Sequence, residues 1–211
     1  MSTYAELAVT TNFSFLRGAS HPQEMVWQAH RLGLAGIGIA DRNSLAGVVR
    51  ALAEAKKHPD LRYLPGVRLI TTDSFEAIAY PTDRIAYGRL CRLLSENNRR
   101  RTRQKGECRF GFEALLGASK GQMLIVMPPD EPAPDFIARV AALVGAAPGR
   151  VYLAGCHRHR GDEPRRLGLL AELGDHLGAP MVAVNDVLYH APERQSLADI
   201  LTCIREKCAL G

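Results

Sequence analysis

Two polar stretches that follow apolar strands decide how this chain folds. The first is Val9-Thr10-Thr11-Asn12-Phe13-Ser14-Phe15-Leu16-Arg17-Gly18-Ala19-Ser20, and the second is Gly38-Ile39-Ala40-Asp41-Arg42-Asn43-Ser44-Leu45-Ala46-Gly47. Each predicts a strand that delivers a polar run to a loop and then to a helix, which is where α/β proteins carry their chemistry. The outline is that of a metal-binding motif. However, the chemically important positions hold poor ligands, namely Ala8, Thr10, Arg17 and Arg42.

Outward from these stretches, apolar runs of strand length alternate with longer stretches of helical period, a pattern typical of β/α units in a parallel sheet or barrel. It predicts seven strands, at Tyr4–Thr10, Gly36–Ala40, Tyr63–Ile70, Ser74–Tyr80, Gln122–Val126, Arg150–Ala154 and Pro180–Val184. It predicts helices at His21–Leu32, Leu45–His58, Tyr87–Asn98, Asp135–Leu143, Pro164–Leu177 and Pro192–Lys207, with a short apolar turn at Phe110–Leu116.

The first helix carries its own start and stop signals. Ser20 is the predicted N-cap, with a proline early in the first turn and Gln23 three residues after the cap. Gly33 is the predicted C-terminal stop. The helical period then places Met25, Val26, Ala29 and Leu32 on the buried side.

Composition sets broad limits on the class of protein. A chain of 211 residues, 46% of them hydrophobic, is expected to form a single soluble domain over residues 1–211. Its net charge of +5 permits a polyanionic partner without requiring one. We expect no membrane association, because neither a leader peptide nor an apolar run of spanning length is present. The five cysteines lack CxxC spacing, which favours reduced thiols and a cytoplasmic location: Cys91, Cys108, Cys156, Cys203 and Cys208.

One segment is strongly basic. Its cations are Arg99, Arg100, Arg101, Arg103 and Lys105. No aromatic residue lies between them to stack on bases, so any nucleic-acid contact is expected to be weak, directed to phosphate and insensitive to sequence. The alternative is a solvated loop on a basic surface.

Taken together, these segments resemble the PHP domain (polymerase and histidinol phosphatase) at the N-terminus of bacterial C-family replicases, the DNA polymerase III alpha subunits. Within that group they are most similar to the error-prone, damage-associated homologues. The residues that carry the resemblance are the two stretches quoted above, Tyr87-Gly88-Arg89-Leu90-Cys91-Arg92-Leu93, Asn185-Asp186-Val187-Leu188-Tyr189-His190 and Leu201-Thr202-Cys203-Ile204-Arg205-Glu206. The resemblance implies an α/β fold, a distorted seven-stranded (β/α)7 TIM-like barrel. In active members, clustered divalent metals at the carboxyl ends of the strands hydrolyse phosphoesters.

The chain departs from the ligand pattern of active members at most positions. The His-x-His of the first strand is Ala8-Val9-Thr10, and the Asp-His pair is Asp41-Arg42. Further along the chain, the Gly-x-Glu pattern is Gly66-Val67-Arg68, and the Asp-x-His pattern is Asp186-Val187-Leu188. Arg17 stands where an acidic residue is expected, and Glu76 stands where a histidine is expected. The resemblance therefore implies that Arg17, Arg42 and Arg68 converge on the former metal site and make it an anion-binding pocket.

Four residues keep some capacity to bind a metal: Asp186, His157, Glu76 and Asp41. We expect Asp186 to pair with an arginine and Asp41 to cap the turn or helix that follows it. His157 lies in Cys156-His157-Arg158-His159, whose donors are too few for a structural zinc site by themselves. His190 is expected to be a surface residue.

The leading hypothesis is a catalytically silent PHP domain that acts as a structural and contact module of an error-prone, translesion DNA polymerase. It is expected to need no cofactor of its own, with Mg²⁺ held in a polymerase domain outside this chain. Its expected partners are the remaining polymerase domains, DNA through the full protein, and other translesion or replisome proteins. Two alternatives stay open. One is a metal-dependent PHP phosphoesterase or 3′-5′ proofreading exonuclease, and the other is a freestanding nucleic-acid-binding domain.

Overall fold

A computed structural model describes residues 4–98 and 108–210. Its strands are β1 (Ala5–Val9), β2 (Gly36–Arg42), β3 (Arg62–Ile70), β4 (Glu76–Pro81), β5 (Gln122–Val126), β6 (Val151–Gly155) and β7 (Met181–Ala183). Its helices are α1 (Pro22–Arg31), α2 (Val48–Ala55), α3 (Arg84–Asn98), α4 (Phe112–Ala118), α5 (Pro134–Ala146), α6 (Glu163–Leu177) and α7 (Gln195–Glu206). A short 3₁₀ turn, Pro192–Arg194, precedes α7. The predicted α/β class and the seven predicted strands are confirmed.

The seven strands form one sheet in the order of the chain, from β1 to β7. β1 pairs with β2, β5 with β6, and β6 with β7 in parallel, whereas β4 and β5 are antiparallel. The prediction of a parallel sheet is therefore wrong for β4. Only residues 71–75 separate β3 from β4. A connection this short can join antiparallel neighbours but cannot make the crossover that a parallel pair needs.

The chain divides into two compact units, residues 1–67 with 185–211, and residues 68–184. The core of the first unit is built from apolar faces of β1, β2, α1 and α2, together with Leu61 just before β3: Val9, Met25, Val26, Ala29, Ile37, Ile39, Ala51, Ala55 and Leu61. In the second unit the fully buried side chains include Ile78, Leu90, Leu115, Leu124, Leu143 and Leu153. Each unit thus buries its own set of aliphatic residues. The single-domain expectation for residues 1–211 stays a prediction.

The ends of α1 differ in part from the prediction. The N-cap is His21, whose backbone N–H donates to the Glu24 carboxylate at 2.7 Å, so Ser20 is not the cap. Gly33 follows the helix in the left-handed conformation, with φ of 65°, as predicted. Met25, Val26 and Ala29 are buried, but Leu32 is exposed because it lies past the last helical turn.

The basic residues Arg99, Arg100, Arg101, Arg103 and Lys105 lie outside the described residues, so their expected contact with phosphate stays a prediction. No helix in the described part of the chain is both long and apolar enough to cross a membrane.

Candidate functional site

The loop between β1 and α1 is held in place by the Asp41 carboxylate at the end of β2. Asp41 accepts hydrogen bonds from the Thr11 backbone N–H and the Thr11 hydroxyl, both at 2.8 Å, and from the Ser14 hydroxyl at 2.7 Å. The Ser14 hydroxyl oxygen also accepts from the Arg42 backbone N–H at 2.9 Å. Asp41 therefore organises the loop that precedes it in the chain, and its role as a cap of the turn or helix that follows stays a prediction.

Two glycines allow this loop to pack tightly. A Cβ atom at Gly18 would lie 2.2 Å from the carbonyl carbon of Thr11, so no other residue fits there without moving the backbone. A Cβ atom at Gly47 would lie 2.9 Å from Oδ2 of Asp41. Both positions require glycine because backbone or carboxylate atoms occupy the space beside them.

Residues 187–194 complete this part of the first unit. The backbone N–H of Thr10 donates to the Val187 carbonyl, and the backbone N–H of Ala19 donates to the Leu188 carbonyl. The prediction that His190 is a surface residue is wrong. Its Nδ1 is 2.7 Å from the Ser20 hydroxyl and its ring is largely buried, because Ser20 and Glu24 surround it. Arg194 donates to Glu24 at 2.8 Å and closes this polar cluster.

Glu6 is a buried carboxylate that the sequence reasoning did not single out. It accepts hydrogen bonds from the Tyr4 hydroxyl at 2.7 Å, the Ala8 backbone N–H at 2.8 Å and the Asn185 backbone N–H at 2.9 Å. These bonds tie β1 to the segment that carries Asp186. An acidic residue inside an otherwise apolar strand is the one signal in the sequence that could have indicated a buried, fully bonded carboxylate.

The three arginines predicted to form an anion-binding pocket belong to different units. Arg17 and Arg42 are half-buried in the first unit, on the β1–α1 loop and at the end of β2. Arg68 is buried on β3 in the second unit and forms an ion pair with Glu76 at 3.8 Å. Their convergence on one pocket stays a prediction.

In the second unit, the segment that follows β6 is organised by acidic residues. Asp130 pairs with both Arg158 and Arg160 at 2.8 Å, and the hydrogen bond from Arg160 is the main reason that the pKa of Asp130 lies below its usual range. Glu163 accepts from the backbone N–H groups of Arg160 and Gly161 at 2.5 and 2.8 Å. These bonds, that of Arg160 first, lower the pKa of Glu163 to about 2.

The described side chains do not fit the metal cluster of active PHP members. The Asp41 oxygens are engaged by three protein donors, and Glu76 is paired with Arg68. His157 is exposed and packs edge-on against His159, with ring centroids 4.4 Å apart. Within residues 4–98 and 108–210, no three or more His, Cys, Asp or Glu side chains are grouped so that they could hold a metal ion. No hydrolytic step is assigned to these residues.

The resemblance implies that Thr10 stands where active members have the second histidine of the His-x-His pattern. The residue is buried, and its hydroxyl has no hydrogen-bond partner among the described residues. A neutral hydroxyl is a weak metal ligand compared with an imidazole. The position therefore retains a polar atom without the donor strength that a clustered cation needs.

Comparison with known proteins identifies the family. The family model described as "PHP domain" matches residues 6–150, so the chain belongs to the PHP domain family, as the sequence resemblance indicated. The error-prone DNA polymerase of Brucella abortus is 49% identical over 209 residues, which cover 97% of this chain and 19% of that protein. The chain thus spans about a fifth of the length of the curated relatives it matches.

Two solved structures share the fold at low sequence identity. A protein from Bifidobacterium adolescentis, described as a candidate metal-dependent phosphoesterase, superposes with a TM-score of 0.66 at 15% identity, covering 90% of this chain and 89% of that one. An amidohydrolase from Chromobacterium violaceum, solved with bound sulfate and no metal, superposes with a TM-score of 0.69 at 14% identity. The superposition covers 88% of this chain and 87% of that one. These likenesses confirm the expected PHP-type fold.

Proposed function

We propose that this chain is the PHP domain of an error-prone, translesion DNA polymerase of the bacterial C family, and that the domain supports the polymerase without hydrolysing phosphoesters itself. The observation that carries the proposal is the 49% identity to an error-prone DNA polymerase along nearly the whole chain. In the full protein, template-directed addition of deoxynucleotides and the Mg²⁺ it needs belong to other domains. The partners are those domains, DNA, and other translesion or replisome proteins.

The role of Asp41 supports a scaffold in place of a metal site. A carboxylate that accepts three short hydrogen bonds from Thr11 and Ser14 has its lone pairs directed at protein donors. A cation could bind to the Asp41 carboxylate only if these hydrogen bonds were broken. In the proposed function, Asp41 fixes the shape of the β1–α1 loop, and the loop presents Phe15, whose side chain is 84% exposed, to the surroundings of the domain.

The first experiment separates the silent domain from a hydrolase. The purified chain is dialysed, its metal content is measured by mass spectrometry, and labelled primer DNA is incubated with it in Mg²⁺, Mn²⁺ or Zn²⁺. We expect less than one equivalent of metal and no nucleotide release. Two or more bound metals per chain, together with nucleotide release that is lost in Asp41→Asn, would contradict this proposal and favour the exonuclease hypothesis.

The second experiment tests whether the domain supports polymerase activity. It uses a full-length polymerase that contains this domain and is as long as the relatives described above. Gly18→Ala distorts the β1–α1 loop, whereas Gly88→Ala on α3 meets no atom within 4 Å and is the matched control. We expect primer extension to fall in the Gly18 variant and to be unchanged in the Gly88 variant. Equal primer extension by both variants, with the domain demonstrably unfolded in the first, would contradict a supporting role.

Anion binding by Arg17, Arg42 and Arg68 is part of the same proposal. Sulfate or phosphate is expected to raise the melting temperature of the chain more than chloride at equal ionic strength. The Arg42→Gln variant is expected to lose that difference. A sulfate effect that survives in Arg17→Gln, Arg42→Gln and Arg68→Gln alike would remove the pocket from the proposal.

A further inference from the structure

The C-terminal end of α7 brings two cysteines together. Lys207 follows the helix in the left-handed conformation, with φ of 56° and ψ of 42°. The backbone N–H of Cys208 then donates to the Cys203 carbonyl at 3.1 Å. This is the hydrogen bond of the Schellman motif, in which the side chains of these two positions commonly touch. In most helices that contact is hydrophobic, but here both side chains are thiols.

The two thiols differ in their access to solvent. Cys203 is half-buried on α7, whereas Cys208 is exposed. Burial raises the pKa of the Cys203 thiol, and the neighbouring Cys208 thiol raises that pKa further. Cys208 is therefore the thiol that an external reagent meets first, and Cys203 is placed to react second. The other cysteines, Cys91, Cys108 and Cys156, belong to the second unit.

We propose that Cys203 and Cys208 form a redox-active dithiol site that exchanges with low-molecular-weight disulfides of the glutathione class. The Cys208 thiolate attacks one sulfur of the disulfide, forming a mixed disulfide and releasing one glutathione thiolate. The Cys203 thiolate then attacks the Cys208 sulfur, forming the Cys203–Cys208 bond and releasing the second glutathione thiolate. Two protein thiols are oxidised, one glutathione disulfide is reduced, and the two protons released are taken up by the two glutathione thiolates.

The position of the site gives it a structural consequence. Arg205 lies between the two cysteines, and its guanidinium donates to the Leu16 carbonyl at 2.8 Å. A Cys203–Cys208 bond closes a ring of residues around Arg205 and holds the end of α7 in the capped conformation. Oxidation would therefore stabilise the contact between α7 and the β1–α1 loop, whether or not the chain is part of a polymerase.

Mass spectrometry of the oxidised chain tests this directly. The chain is equilibrated with mixtures of reduced and oxidised glutathione, quenched with acid and digested with trypsin without reduction. Cleavage after Arg194, Arg205 and Lys207 separates the two cysteines. The expected product is therefore the peptide Gln195–Arg205 joined by a disulfide to the peptide that begins at Cys208. Mixed glutathione disulfides on Cys208 without this linkage, or linkages among Cys91, Cys108 and Cys156 in equal yield, would overturn the proposal.

Two variants of Lys207 test whether the helix end creates the site. Lys207→Gly favours the left-handed conformation, whereas Lys207→Val disfavours it, and neither alters a thiol. We expect the equilibrium constant for disulfide formation to be about fivefold higher in the glycine variant than in the valine variant. The Cys91→Ser variant should behave as the unmodified chain. Equal constants in the two Lys207 variants would show that sequence proximity alone, not the capped helix end, brings the thiols together.

Discussion

Asp41 and Thr11, thirty residues apart in the sequence, are joined by two hydrogen bonds of 2.8 Å: the Thr11 backbone N–H donates one to the Asp41 carboxylate, and the Thr11 hydroxyl donates the other. This relationship joins the carboxyl end of β2 to the start of the β1–α1 loop. The resemblance implies that active PHP members have an Asp-His pair here, which is expected to hold metal. In this chain Arg42 follows Asp41, and the Asp41 carboxylate binds the loop.

Replacing Asp41 is expected to destabilise the first unit. Asp41→Ala leaves the N–H and hydroxyl of Thr11 and the hydroxyl of Ser14 without their acceptor, so the free energy of unfolding should fall by about 3 kcal/mol. Urea unfolding measures this change. The control is Asp60→Ala, at an exposed position, which should change the free energy by less than ~0.5 kcal/mol. A loss that appears only when Mn²⁺ is present would mean that Asp41 acts through a metal.

Gly18 provides a test of the close packing of the loop. A methyl group at this position would lie 2.2 Å from the Thr11 backbone, so Gly18→Ala should lower the free energy of unfolding by at least ~2 kcal/mol. Gly88→Ala is a matched control in the interior of α3, with no atom within 4 Å of the added methyl group. It should raise stability by about 0.5–1 kcal/mol because alanine is the better helix former. The loop is not as tightly packed as described if the two variants shift stability in the same direction.

The sequence was a good guide to the elements and a poor one to their long-range contacts. The strand at Gln122–Val126 is found with its predicted bounds, because a short apolar run between turn signals is a local pattern. The reversed direction of β4 does not follow from the sequence pattern, since periodicity carries no information about strand direction. The Ser20–His190 contact joins residues 170 positions apart, and no local rule relates them. For Asp41, a local capping rule gives no information about Thr11 and Ser14, whose donors lie 30 and 27 positions away in the sequence.

Thr10 and Thr11 form a natural matched pair for testing the buried hydroxyl groups at the carboxyl end of β1. Both are buried, but the Thr10 hydroxyl has no partner among the described residues, whereas the Thr11 hydroxyl donates to Asp41 and accepts from the Phe13 N–H. Thr10→Val should leave the free energy of unfolding unchanged or raise it by up to ~1 kcal/mol, because it removes an unsatisfied polar group. Thr11→Val should lower it by about 1–2 kcal/mol. A destabilising Thr10→Val, seen by urea unfolding, would mean that the Thr10 hydroxyl holds a ligand.

Glu163 is expected to make stability depend on pH in the acidic range. Its pKa is about 2 in the folded chain, below the ordinary 4.5, because the N–H groups of Arg160 and Gly161 hydrogen-bond to the carboxylate. A lowered folded-state pKa gives a stabilisation that is fully present above about pH 5 and is lost as the pH falls toward 2, because the unfolded chain takes up the proton first. Glu163→Gln, which cannot ionise, should therefore be less stable than the unmodified chain at pH 7, and the difference should shrink steadily below pH 5.

The measurement for Glu163 is the free energy of unfolding in urea at a series of pH values from 7 to 3. Other acidic groups contribute equally to the unmodified chain and to the variant, so the difference between the two isolates Glu163. Glu172→Gln, at an exposed position on the same helix, is the control and should give a difference that does not change with pH. If the difference for Glu163→Gln is also constant from pH 7 to 3, its backbone hydrogen bonds do not lower its pKa, and the segment after β6 is held by the arginine pairs of Asp130 instead.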